Sequence, residues 1–179
     1  MMTQTELIKR IYQKSYITGE FLLRSGRISN EYFDKYQFES DPILLGAIAE
    51  AFVPLMNFDF DYLAALEMGG IPIATAISLI THKPMVLVRK KSKDYGTRKF
   101  AEGPNIKNKT LLIVEDVVTS GGQIIISTND LRNEGAFISK AICVIDRQSG
   151  GTESLNENRI ELISLFTMEK LKDSIHQTD

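Results

Sequence analysis

LLIVEDVVTSGGQ, residues 111–123, carries three physical signals in one stretch. Leu111 to Val114 is a continuous apolar run, the pattern of a strand buried on both faces of a parallel sheet. Glu115 and Asp116 follow, two carboxylates where such a strand should reach its C-terminal edge. Val117 and Val118 then lead into Thr119, Ser120, Gly121, Gly122 and Gln123, a small and hydroxylated turn ahead of a helix-like stretch from Ile124. A strand, a small-residue turn and a helix start make an anion site. Glycines let backbone N–H groups face a phosphate, and the helix N-terminus adds a favourable dipole. Ligands of open α/β sheets bind at these carboxyl ends.

The dinucleotide fingerprint GxGxxG is absent, and so is the Walker pattern with its Lys after the second Gly. A hydrophobic run, two acids, two apolar residues, then Thr/Ser and Gly resembles the phosphoribosyl-pyrophosphate signature of type I phosphoribosyltransferases. An ordinary strand-to-helix turn with exposed acids is the alternative at this point, and other stretches have to decide.

The chain has 179 residues, 43% hydrophobic and 25% charged, which suits one domain with a sizeable core. A net charge of −2 gives no field that would draw nucleic acid, so any anion binding is local. No apolar run approaches the roughly 20 residues that span a bilayer, and residues 1–15 lack a signal-peptide core. They read as an amphipathic helix with Leu7, Ile8, Ile11 and Tyr12 on one face. The single cysteine, Cys143, sits in the apolar run from Ala141 to Ile145 and reads as core. A cytoplasmic protein without membrane or nucleic-acid partners is the expectation.

Residues 18–38 read as a short strand at Phe21 to Leu23, a turn at Ser25-Gly26-Arg27 and a second extended piece from Tyr32-Phe33. Arg24 and Arg27 flank that turn, with Tyr32, Phe33 and Tyr36 nearby. A flat, anionic, ring-shaped ligand would suit the mixture. A solvent-facing hairpin whose aromatic residues pack on the core would also fit. LRSGRISNEYFDKYQFESDPILL resembles the N-terminal segment of orotate phosphoribosyltransferases, where a basic-Ser-Gly-Arg turn and a Tyr-Phe pair border the orotate pocket. Many members carry Lys at the position of Arg24.

Asp41-Pro42 is a helix start, and Leu44, Leu45, Ile48, Ala49, Phe52 and Leu55 keep helical spacing. Tyr62 to Leu66 is a strand, followed by Gly69-Gly70 and an apolar helix over residues 71–80. In the family this turn is the pyrophosphate loop, which gives Gly69 and Gly70 that role. Some relatives place a Lys there; this chain does not.

After a strand at Met85 to Val88 the composition shifts to Arg89, Lys90, Lys91, Lys93, Arg98 and Lys99. A charge run is usually a solvated surface, and a cationic loop around a glycine also suits a lid over a polyanion. VRKKSKDYGT resembles the catalytic loop of orotate phosphoribosyltransferases, which closes over the partner subunit's site. The resemblance makes Arg89, Lys90 and Lys93 its phosphate-contacting cations and puts Tyr95 where His is common. A helix from about Gln123 to Asn133, strands at Phe137 to Ile145 and Ile160 to Phe166, and a helix from Met168 complete the chain. Arg147 follows the first of these strands. In the family the Asp-Arg at this point supplies the Arg that holds orotate.

The resemblance implies an α/β, type I phosphoribosyltransferase fold: a central, mainly parallel sheet flanked by helices, with a small N-terminal hood. It implies one domain over residues 1–179, the hood from about 1–40 plus C-terminal elements and the core about 41–150. No decarboxylase domain is expected after residue 179. The reaction it implies transfers the phosphoribosyl group of phosphoribosyl pyrophosphate to orotate, in pyrimidine biosynthesis. Lys93, Asp116, Glu115, Arg89, Lys90 and Tyr95 become catalytic candidates. Residues 115–123, Gly69, Gly70, Arg89, Lys90 and Lys93 would bind phosphoribosyl pyrophosphate. Thr119, Arg147, Arg24, Tyr32 and Phe33 would bind orotate. Mg2+ would be held mainly by substrate and water, and the expected assembly is a homodimer that shares the loop. Transfer to another base is one rival, and a nucleic-acid-binding sensor of phosphoribosyl pyrophosphate is another. The Arg24 turn and Arg147 favour a carboxylate-bearing base, and the net charge disfavours the sensor.

Overall fold

The structure, a computed structural model, describes residues 2–22, 26–91 and 100–176. The expectations on Arg24, Lys93 and Tyr95 lie outside the described residues.

Helix α1 (Gln4–Ser15) opens on Thr3, whose hydroxyl accepts the Glu6 N–H at 3.2 Å. Its apolar stripe buries Leu7, Ile8 and Ile11, as the periodicity predicts. The chain passes straight into β1 (Tyr16–Leu22), which pairs antiparallel with β2 (Ile28–Phe33). A one-turn helix α2 (Tyr36–Glu39) precedes α3 (Pro42–Phe52). Asp41 caps α3, accepting from the N–H groups of Ile43 and Leu44 at 3.0 and 3.1 Å. The remaining elements are β3 (Tyr62–Leu66), α4 (Gly70–Thr81), β4 (Met85–Val88), β5 (Ala101–Glu102), β6 (Thr110–Val118), α5 (Gly122–Asn133), β7 (Phe137–Asp146), α6 (Gly151–Glu157), β8 (Glu161–Thr167) and α7 (Met168–His176).

The main sheet has the order β5-β4-β3-β6-β7-β8. Its strands are parallel except β5, which lies antiparallel on the edge beside β4. β6 sits in the middle because its apolar run is buried on both faces. Leu112 and Val114 pack with Ile48, Phe52, Ile73 and Ile77 on one side. Leu111 and Ile113 share the other side with Ile124, Leu131 and Cys143. Each such fully buried side chain contributes about 1.5–3 kcal/mol of transfer free energy. Cys143 is buried and free, as expected, and burial pushes its thiol pKa up. No described helix is long and apolar enough to cross a membrane.

β6 is longer than the apolar run. It continues through Glu115 and Asp116 to Val118, because β7 keeps pairing with it as far as Val118 opposite Asp146. On its other side, pairing with β3 stops at Val114 opposite Ala65. The two acids therefore have a strand on one flank and an opening on the other. That opening is where the candidate site lies.

Candidate active site

The Gly69-Gly70 turn fills the β3 flank of the opening. A Cβ on Gly70 would lie 2.2 Å from the Val114 carbonyl oxygen, and one on Gly69 only 1.5 Å from Asp116 Oδ2. Both positions thus require glycine because of close approach, which brings α4's first N–H groups beside the acids.

Period-two alternation puts Asp116 on the same face as Leu112 and Val114, beneath α2. Asp116 is fully buried, and its Oδ2 accepts from Lys35 Nζ at 2.5 Å. Its Oδ1 accepts from the Val117 N–H. Burial pulls the Lys35 ammonium down, but Asp116, Glu115 and Glu39 more than offset that and leave its pKa raised. Glu115 is raised well above its ordinary value, first by burial and then by Asp116. Glu39 is raised to about 8, first by burial and then by Asp116, with Lys35 opposing.

After the acids, Thr119 and Ser120 are exposed, and Gly121 turns the chain with φ +74 into α5. Only glycine adopts that conformation without cost. α6 braces the turn from below: a Cβ on Gly151 would meet the Thr119 carbonyl oxygen at 2.4 Å. The first N–H groups of α5 have no partner within the helix, which leaves them for an anion.

A cleft of about 400 Å³ covers this surface, lined by residues 115–124 with Lys35, Tyr36, Glu67, Met68 and Lys90. The Lys90 N–H donates to Glu67 Oε1 at 2.6 Å, tying the start of the basic segment to the end of β3. The Arg89 guanidinium lies instead beside Glu102, Nε to Oε1 3.6 Å, on the β5 edge. A second cleft of about 540 Å³ adjoins it, lined by Tyr32, Phe33, Thr119, Arg147, Lys172 and others. The two share Lys35, Val117 and Thr119. Arg147 reaches this edge because its N–H donates to the Val118 carbonyl at 2.9 Å. In the second cleft Tyr16 donates to Glu31, which raises the Tyr16 pKa.

The structure thus gathers Glu115, Asp116, the 117–123 turn and Lys90 in one cleft, with Gly69 and Gly70 on its flank, and Tyr32, Phe33, Thr119 and Arg147 in the next. Sequence reasoning missed Lys35, Glu39, Tyr16 and Lys172. Lys35 contacts Asp116 across 81 positions, so no local spacing points to it. For Lys172 the only signal would have been α7 lying beside β8.

A mainly parallel sheet with a diacid strand end and a braced glycine turn defines a phosphoribosyl-transferring class of protein. The family described as "Phosphoribosyl transferase domain" matches residues 28–164. The orotate phosphoribosyltransferase of Nocardioides sp. (strain ATCC BAA-499 / JS614) is 44% identical over 155 residues, 87% of each chain. That of Methanocaldococcus jannaschii is 38% identical over 156 residues, 87% of this chain and 89% of its own. The crystal structure of orotate phosphoribosyltransferase from Aeropyrum pernix superposes with a TM-score of 0.83 at 26% identity, covering 97% of this chain and 99% of that one. This chain belongs to the orotate phosphoribosyltransferase family.

Proposed function

We propose that the chain transfers the 5-phosphoribosyl group from phosphoribosyl pyrophosphate to orotate, giving orotidine 5′-monophosphate and pyrophosphate. The observation that carries this reading is the pair of adjoining clefts meeting at Lys35, Val117 and Thr119. One offers N–H groups and carboxylates to a phosphorylated sugar, and the other offers rings and cations to a flat anion.

In the reaction the C1–O bond to pyrophosphate breaks, a bond from orotate nitrogen to C1 forms, and the nitrogen's proton leaves with the pyrophosphate. Positive charge grows on the ribose and negative charge on the leaving group. Preorganised groups aimed at those charges lower the barrier. The N–H groups of residues 119–123 hold the 5-phosphate. Glu115 and Asp116 accept from the ribose hydroxyls. The Gly69-Gly70 turn, Lys90 and, from the resemblance, Arg89 and Lys93 draw the diphosphate. Arg147 faces the orotate carboxylate, while Tyr32 and Phe33 flank its ring. Arg24 and Tyr95 take the parts their matched positions hold in the family.

The donors fit a divalent cation that keeps most of its waters. Hard oxygens of Glu67, Thr119 and Ser120 line the cleft and could reach it through those waters. Magnesium, when bound, would offset charge on the diphosphate. We further infer a cytoplasmic homodimer whose segment 89–99 closes over the partner's site.

Initial rates with orotate, uracil and adenine, each with phosphoribosyl pyrophosphate, test the reading. Orotate should exceed the others by at least about 100-fold, since a site built for a charged group rejects the analogue lacking it. Arg147→Ala should raise the KM for orotate about 10-fold or more, the size of a lost charge-assisted contact. Equal rates on uracil would refute the choice of base.

A further inference from the structure

We propose that Glu39 is a positioning residue of this reaction: as a neutral carboxylic acid it donates a hydrogen bond to the Asp116 carboxylate and holds it ready for the ribose hydroxyls. The inference rests on the reaction proposed above and adds a residue that the motifs do not contain.

Three observations carry it. Glu39 is 5% exposed, although carboxylates are rarely buried without a cation of their own. Its Oε1 meets no hydrogen-bond donor among the described residues. Among the described residues the Lys35 ammonium faces three carboxyls, those of Asp116, Glu115 and Glu39. That ammonium is already committed to Asp116 Oδ2 at 2.5 Å. Lys35 and Glu39 lie one helical turn apart, the Glu39 N–H donating to the Lys35 carbonyl at 3.2 Å, and Asp116 is the side-chain partner of both.

Like charges this close cannot all persist away from water, so protons are retained on the group, Glu115 being held well above its ordinary value as well as Glu39. Burial, then the Asp116 carboxylate, raises Glu39 to about 8, which leaves it neutral near pH 7. The other charged groups around it are accounted for. Asp34 on its own segment raises it further. Lys14 of α1 and Asp41 at the head of α3 pair with each other at 2.8 Å. A protonated Glu39 gives Asp116 a donor that stays in place whether Lys35 or a ribose hydroxyl occupies Oδ2.

The sign of the pH effect follows. Above about 8 Glu39 loses its proton, two carboxylates face each other, and Asp116 is no longer held. Turnover should therefore fall on that alkaline limb. Folding shows the same group independently of activity. The folded state keeps a proton that the unfolded chain releases near 4.5, so stability declines as pH rises from 4.5 toward 8.

The test measures kcat and the KM for phosphoribosyl pyrophosphate from about pH 6 to about pH 9.5 in the wild type, Glu39→Gln and Glu39→Ala. Gln keeps a donor without a titrating proton. It should stay within about 3-fold of wild-type kcat near neutrality and lose the limb near 8. Ala removes the donor and should lower kcat about 10-fold or more, with the smaller change in KM. Should Glu39→Ala fail to fold, the Gln profile and its flattened unfolding midpoint between about pH 5 and about pH 8 decide alone. An alkaline limb unchanged in Glu39→Gln, or equal losses in Gln and Ala, would overturn the role of Glu39. A wild type with no orotate-dependent turnover would overturn the reaction itself.

Discussion

Gly69→Ala is expected to lower kcat/KM for phosphoribosyl pyrophosphate by about 100-fold or more, on the scale that misplacing a reacting group by an ångström costs. The added methyl carbon would fall 1.5 Å from Asp116 Oδ2 and 2.4 Å from its Cγ. Either the carboxylate swings away from Lys35 or the turn withdraws from β6. Both outcomes break the contact between the Gly69-Gly70 turn and Asp116. Gly46→Ala is the matching control: a Cβ there meets nothing within 4 Å and lies within α3. It should leave the kinetics alone and add about 0.5–1 kcal/mol of stability. Steady-state kinetics and urea unfolding of the two variants separate loss of the site from loss of the fold. A Gly69→Ala enzyme with wild-type kinetics would mean that Asp116 and the turn do not act together.

Asp116→Asn should lower kcat by about 100- to 1000-fold, the usual effect of removing one preorganised group from a reacting centre. The substitution hardly changes shape, so packing does not explain a loss. It removes the negative charge that meets Lys35 at 2.5 Å and the oxygen that accepts from the Val117 N–H. An amide oriented to keep one of those acceptors turns its NH2 toward the other donor. Single-turnover rates with bound phosphoribosyl pyrophosphate would report the chemical step directly. A change under about 3-fold would remove Asp116 from the mechanism.

Much of this site was legible because its parts are local. The run 111–114, the acids, the Thr-Ser-Gly-Gly turn and the Gly69-Gly70 pair each lie within a few residues, and each announces itself by composition. Strands β3 and β4 coincide with their apolar runs for the same reason. The end of β6 was not fully legible: composition puts the strand's C-terminal edge at Glu115 and Asp116, and β6 runs on to Val118. Their strand geometry comes from β7, which pairs beyond the point where β3 stops. β5 has two residues, α2 has four and α6 has seven, too short for a period to register. That brevity also hid Lys35 and Glu39, because they become neighbours of Asp116 only through the packing of α2 over β6. The order of the motifs pointed to the candidate site at the end of β6. Packing alone brought Lys35 to Asp116.

The most direct test is a crystal structure of the protein soaked with orotidine 5′-monophosphate. Its phosphate should lie against the N–H groups of residues 119–123, its ribose hydroxyls against Glu115 and Asp116, and its base between Tyr32, Phe33 and Arg147. Nucleotide density away from the end of β6, with that cleft holding only solvent, would contradict the account.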